Sequence, residues 1–180
     1  MDDGLLPLDF PQGRLRRFRP QDRPAFQAYR ALPELGRYQG WRPMTDGEAD
    51  AFIAEVAGLP LFTPGEWIQL ALADRATDAL LGDIGLWVSQ DAAAAEIGFT
   101  VAPAAQGQGL ATQAVHAVAG LLARASRVRV LQGITDERNG PSCRVLERAG
   151  FERVRVQAAE FRGEPCVEWV YERPIERTAP

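Results

Sequence analysis

Residues 95–112 and the apolar run after them leave this chain little choice of local structure. Residues 96–101 suit a strand, and residues 110–123 suit an amphipathic helix. Between them stand Gln106, Gly107, Gln108, Gly109, Leu110 and Ala111. Two glycines at a strand-to-helix junction let the backbone come close to a ligand, because no Cβ intervenes. A helix start also offers about four N–H groups without intrahelical partners, at the positive end of the dipole. The junction is expected to cradle an anion, most naturally a phosphate.

The rest of the chain arranges itself around that junction. Residues 1–13, with Pro7, Pro11 and two glycines, suggest a loosely held arm, and residues 14–19 a first strand. Pro20 suits a helix start, and Phe26, Tyr29, Arg30 and Leu32 lie on a helix expected to end near Pro33. Thr45 and Glu48 have the spacing of a capping box before a helix over 48–56, which Gly58 and Pro60 end. Residues 67–73 and 80–88 predict a hairpin around a polar loop, and 89–94 a turn into the 96–101 strand. Residues 128–134 are nearly all apolar, which suggests a strand buried on both faces. Asn139 and Pro141 precede a helix over 142–149, which Gly150 ends. Residues 151–161 and 166–171 form a last hairpin that turns near Arg162 and Gly163. The expected order is β-α-α-β-β-β-α-β-α-β-β. It makes a mixed α/β fold with antiparallel strands first and a crossover through the 110–123 helix. No repeat or linker divides the chain, so 1–180 is expected to be a single domain.

Composition narrows the chemistry. A net charge of −4 disfavours nucleic acid as a partner. No apolar run approaches the roughly 18 residues of a membrane span, and the acidic start lacks the pattern of a signal peptide. A cytoplasmic protein is the expectation. All 20 basic residues are arginine, which excludes lysine-based catalysis on this chain. The single histidine, His116, is expected on a helix surface, which argues against a Ser-His-Asp triad. One histidine also excludes any multi-histidine zinc site, so no metal is expected. Cys143 and Cys166 give no disulfide framework and are expected to be buried, reduced thiols.

Three readings of the glycine loop compete. One is a plain loop, with glycines serving turn geometry. Another is a dinucleotide fingerprint, since Asp136 follows the next strand at a suitable distance; but the third glycine is missing and too few βαβ units remain. The third is a resemblance. Gln106, Gly109 and Ala111 resemble the Q/R-x-x-G-x-G/A motif of the GNAT superfamily of acyl-CoA-dependent N-acetyltransferases. Asn139, Ser142, Val145, Leu146, Glu147, Gly150 and Phe151 resemble the N-x-x-S-x-x-V-L-E-x-x-G-F ending of its RimJ/RimL-like branch, the ribosomal-protein N-terminal acetyltransferases and their relatives. Arg37, Trp41, Pro43 and the Thr45 box are similar to that branch's N-terminal region. The resemblance covers about residues 14–172.

The resemblance implies a GNAT-like acyl-CoA N-acyltransferase fold, a central mixed, mostly antiparallel sheet flanked by helices. It implies acetyl transfer from acetyl-CoA to a primary amine by direct attack. Gln106, Gly107, Gln108, Gly109, Leu110, Ala111 and Thr112 would hold the pyrophosphate through backbone N–H groups. Phe99, Thr100 and Val101 would offer N–H donors to the thioester oxygen, with Gly98 allowing the strand to splay from its neighbour. An α-amine costs about 1.4 kcal/mol to deprotonate at pH 7 and a lysine side chain about 4–5 kcal/mol, so a base is useful. Glu96 stands where some relatives carry a glutamate base; Glu160 and Glu168 are weaker candidates, and the alternative for Glu96 is a structural role. The tyrosine that many relatives use to protonate the thiolate is replaced by Leu146, and Ser142 is the remaining donor, or only a helix cap. Asn139 resembles a cofactor-contacting asparagine, with capping as its alternative. Arg30, Arg37 and Trp41 are candidates for shaping the acceptor pocket, for a protein or peptide N-terminus or a small amine. Relatives suggest a homodimer. The competing class is a non-catalytic CoA-binding or interaction module with the same fold.

Overall fold

The structure is a computed structural model and describes residues 4–177. The two most apolar segments make the centre of a sheet. β3 (Trp67–Asp74) and β4 (Leu80–Val88) pair antiparallel, with Leu70, Leu72, Ile84 and Leu86 removed from solvent. The Asp74 carboxylate accepts from the N–H groups of Ala76 and Thr77 at 3.0 and 2.7 Å, which closes the turn between them. β5 (Ala94–Val101) adds antiparallel to β4. α4 (Leu110–Ala125) then carries the chain back so that β6 (Val130–Asp136) lies parallel to β5. After α5 (Gly140–Arg148), the hairpin β7 (Glu152–Phe161) and β8 (Glu164–Pro174) completes that side. With β1 (Leu8–Phe10) and β2 (Gly13–Arg16), the sheet has eight strands in the order β1-β2-β3-β4-β5-β6-β8-β7. Among these strand pairs only β5–β6 is parallel.

Side chains alternate across a strand, so neighbours on β3 serve two different cores. Leu72 joins the cluster under α4, built from Leu110, Ala114, Val115, Val118 and Leu122. Ala71 joins the opposite cluster, where Phe26 and Tyr29 of α1 (Arg23–Arg30) meet Ala49, Ile53 and Val56 of α3 (Asp46–Gly58). The Thr45 capping box forms as expected. Glu48 N–H donates to Thr45 Oγ1 at 3.4 Å and Thr45 N–H to Glu48 Oε2 at 2.8 Å. Arg42 and the Thr45 donors hold the pKa of the Glu48 carboxyl down to about 2.

The sheet opens near its middle. β5 pairs with β6 through three residues alone: Ala94 with Val130, Ala95 with Leu131 and Glu96 with Gln132. Beyond Glu96 the two strands part, and the remaining edge of β5 has no partner strand on that side.

Several elements depart from the sequence reading. Residues 8–10 of the expected loose arm form β1 and pair with β2, which packs Phe10 against the α4 core. The first strand stops at Arg16 instead of running to 19, and Arg16 turns inward to hold Asp22 at 2.7 Å. The first helix ends at Arg30, and Pro33 starts a separate short helix, α2 (Pro33–Gly36). β6 is not buried on both faces. Leu131 and Gly133 pack toward α4 and α5, whereas Val130, Gln132 and Ile134 stay half-exposed because α1 and α3 cover the other face mainly at β3 and β4.

Candidate active site

A cavity of about 560 Å³ opens where β5 and β6 part. Glu96, Gly98, Phe99 and Thr100 line it from β5, and Thr135 and Asp136 from β6. Glu96 is the last β5 residue paired to β6, so it stands at the vertex of the opening. Its carboxyl is half-buried and makes no hydrogen bond or ion pair among the described residues. Burial, and then the Glu168 carboxylate on β8, push its pKa above the ordinary glutamate value. Glu168 also lines the cavity, where Gln157 Nε2 donates to it at 2.9 Å.

At the far end of β5 the glycine loop has the form expected. Gly107 and Gly109 have φ of 76° and 78°, and a Cβ would meet nothing at the first and only the tip of Gln113 at the second. The glycines therefore serve backbone conformation, not packing. None of the backbone N–H groups of residues 107–112 finds an acceptor among the described residues, and the first helical bond runs from Gln113 to Gly109 at 3.0 Å. Gln106 is a correction: its N–H already donates to the Pro103 carbonyl at 3.2 Å and its Nε2 to the Val101 carbonyl at 2.9 Å, so it ties the loop to the strand end and the free donors begin at Gly107. The loop itself lies outside the cavity lining. This row of free donors fits a pyrophosphate.

α5 approaches β6 closely because residue 133 is glycine; a Cβ there would come within 2.6 Å of Leu146. Asn139 Oδ1 accepts from Ser142 N–H at 3.4 Å, so Asn139 does cap the helix. Asn139, Ser142 and Leu146 all line the cavity. The Ser142 hydroxyl has no partner among the described residues.

The opposite wall comes from α1 and the segment after α2. Arg30 and Asp83 are both buried and meet at 3.1 Å. Asp83 also accepts from Tyr29 Oη at 2.5 Å and Gln69 Nε2 at 2.6 Å. The Arg30 guanidinium lies 4.8 Å from the Trp41 ring and 4.7 Å from the Phe26 ring, and its Nε finds no acceptor among the described residues.

The acetyltransferase (GNAT) domain family matches residues 14–152. The chain belongs to that family. This GNAT protein is an N-acetyltransferase. No curated protein matches it. Among solved structures it is similar to a GNAT-family acetyltransferase from Bacillus anthracis, at 18% identity and a TM-score of 0.82, over 93% of this chain and 97% of that one. It is also similar to RimL, a ribosomal L7/L12 alpha-N-protein acetyltransferase in complex with coenzyme A, at 19% and 0.80, over 94% and 97%. A third is the microcin C7 self-immunity acetyltransferase MccE with acetyl-CoA and AMP, at 15% and 0.80, over 92% and 94%. These likenesses are of fold.

Within the GNAT frame, the structure brings Glu96, Phe99, Thr100, Asn139, Ser142, Arg30 and Trp41 to one cavity. Val101 and Leu110 bury their side chains in the core, leaving only backbone for a ligand. Arg37 is exposed, stacks on Tyr38 at 5.3 Å and does not line the cavity, although its charge reaches Asp136. Glu160 is exposed on β7 and also stands outside the cavity. Cys143 is buried as expected. Cys166 is only half-buried and lines the cavity, where burial and then Asp136 and Glu168 raise its pKa. His116 is exposed on α4 and meets Arg173 at 2.9 Å. Asp83 escaped the sequence reading. Its signal was a carboxylate in the middle of an otherwise apolar strand.

Proposed function

We propose that the protein transfers the acetyl group of acetyl-CoA to a primary amine by direct attack within this cavity. The observation that carries the reading is β5 itself, which leads into a row of N–H donors unpaired among the described residues and carries, at the parting of the sheet, a carboxyl of raised pKa. Residues 107–112 hold the pyrophosphate. The free β5 edge offers the Phe99 N–H to the thioester oxygen as it gains charge, whereas the Thr100 backbone, expected to donate as well, faces β4. Glu96 takes the proton of the attacking amine, directly or through water. Ser142 is the hydroxyl available to the departing thiolate, because Leu146 is apolar and supplies no proton. A non-catalytic CoA-binding module is the second reading, and the apolar Leu146 is the observation that favours it.

Thermal stabilisation by acetyl-CoA followed by CoA-thiol release on an amine panel separates the two. Stabilisation with no release on any amine sinks the transfer reading. Gly109→Glu supplies a second test. It places a carboxylate among the phosphate donors and forces a side chain onto a left-handed backbone that costs about 1–3 kcal/mol. Acetyl-CoA affinity is expected to fall at least about tenfold, since each lost dipole contact is worth up to roughly 1 kcal/mol. Gly109→Ala carries the backbone strain alone and should lose less. Equal affinity in Gly109→Glu and the parent, by calorimetry, rules out the cradle.

A further inference from the structure

The turn between β7 and β8 reaches across the cavity. Arg162, at a φ of 54°, directs Nη2 to the carbonyls of Gly36, Gln39 and Trp41 at 3.2, 3.1 and 3.3 Å. These carbonyls belong to a segment with no helix or strand of its own after Gly36, held internally by one turn bond from Gln39 to Gly36. Tyr38, Gln39, Gly40 and Trp41 of this segment line the cavity, as does Phe161 beside Arg162. The segment's other anchor is Trp41, whose ring lies against Gly36 and over Arg30. A single guanidinium thus joins the sheet's last hairpin to a wall that is otherwise weakly held.

We propose, resting on the acetyl-transfer reading, that Arg162 is a positioning residue that latches residues 36–41 over the acceptor side and restricts acceptors to small amines. The cavity of about 560 Å³ must take the reacting end of the donor as well as the acceptor. A latched wall narrows the way in along that side, which favours a small amine over a polypeptide.

The test compares the parent, Arg162→Ala and Arg162→Lys. Transfer is measured to benzylamine and to an alanine-rich hexapeptide with a free N-terminus, and hydrogen exchange is followed at the amides of residues 38–42. The parent is expected to favour benzylamine. Arg162→Ala should raise the benzylamine KM about tenfold, the scale of one lost hydrogen bond from a charged donor, with kcat and the acetyl-CoA KM little changed. The amides should exchange faster, the preference over the hexapeptide should narrow, and Arg162→Lys should recover part of each effect. A parent that acetylates the hexapeptide as well as benzylamine, or unchanged exchange and KM in Arg162→Ala, overturns the latch and leaves the transfer reading standing. Acetyl-CoA binding without transfer to either amine sinks the transfer reading, and the size selection with it.

Discussion

Glu96→Gln is expected to lower turnover by roughly 10²–10⁴-fold, the range that a positioned general base contributes, with acetyl-CoA binding unchanged. The carboxyl stands where the sheet opens, feels the Glu168 charge and has no counter-charge among the described residues. As a base it must be ionised, so its raised pKa places the acidic limb of kcat/KM above the ordinary glutamate range. Glu168→Gln removes one of the two causes and should move that limb toward lower pH. The same shift has a sign for stability. Between the unfolded and the raised folded pKa, the folded state keeps a proton that the unfolded state has lost. Stability therefore falls as pH rises through that window, and the loss is complete above it. Glu96→Gln removes the loss, so it should melt higher than the parent near about pH 8 and show no such gain near about pH 4. A variant that keeps full turnover would assign Glu96 a structural role.

Asp83→Ala should cost about 3–5 kcal/mol of stability, the usual result of removing one partner from a buried ion pair. Arg30 would be left 5% exposed with no carboxylate, and Tyr29 and Gln69 would each lose an acceptor. The Tyr29 phenol should then titrate less far above its usual value, because the Asp83 carboxylate adds to burial in raising it. Replacing both charges, Asp83→Leu with Arg30→Met, should recover much of the loss, since two apolar side chains leave no buried charge unpaired. Urea unfolding measures both. A loss below about 1 kcal/mol in Asp83→Ala would put the pair in the class of exposed ion pairs and would remove it as the anchor beneath Trp41.

Short-range chemistry made much of this protein legible before the fold was known. The Thr45 box, the Asn139 cap and the glycine loop each depend on residues within a few positions of one another, and each forms as expected. The expectation failed where a distant residue decided the outcome. Residues 8–10 become a strand because Phe10 packs on the core under α4, and Arg16 leaves the strand pattern because Asp78, far along the chain, receives it. Arg37 and Trp41 sit on one segment, yet only Trp41 reaches the cavity, because Arg30 offers it a cation to stack on.

Local chain chemistry was enough for the row of free donors, since positive φ at Gly107 and Gly109 and the start of α4 are local backbone properties. It was also enough to put Glu96 on the strand that leads there. Tertiary packing settled that β6 would leave β5 just after Glu96, that the Glu168 charge would bear on it, and that Arg162 would close the opposite wall. Those contacts join residues far apart in the chain, and no local preference specifies them; they arise when the strands pair and the last hairpin packs.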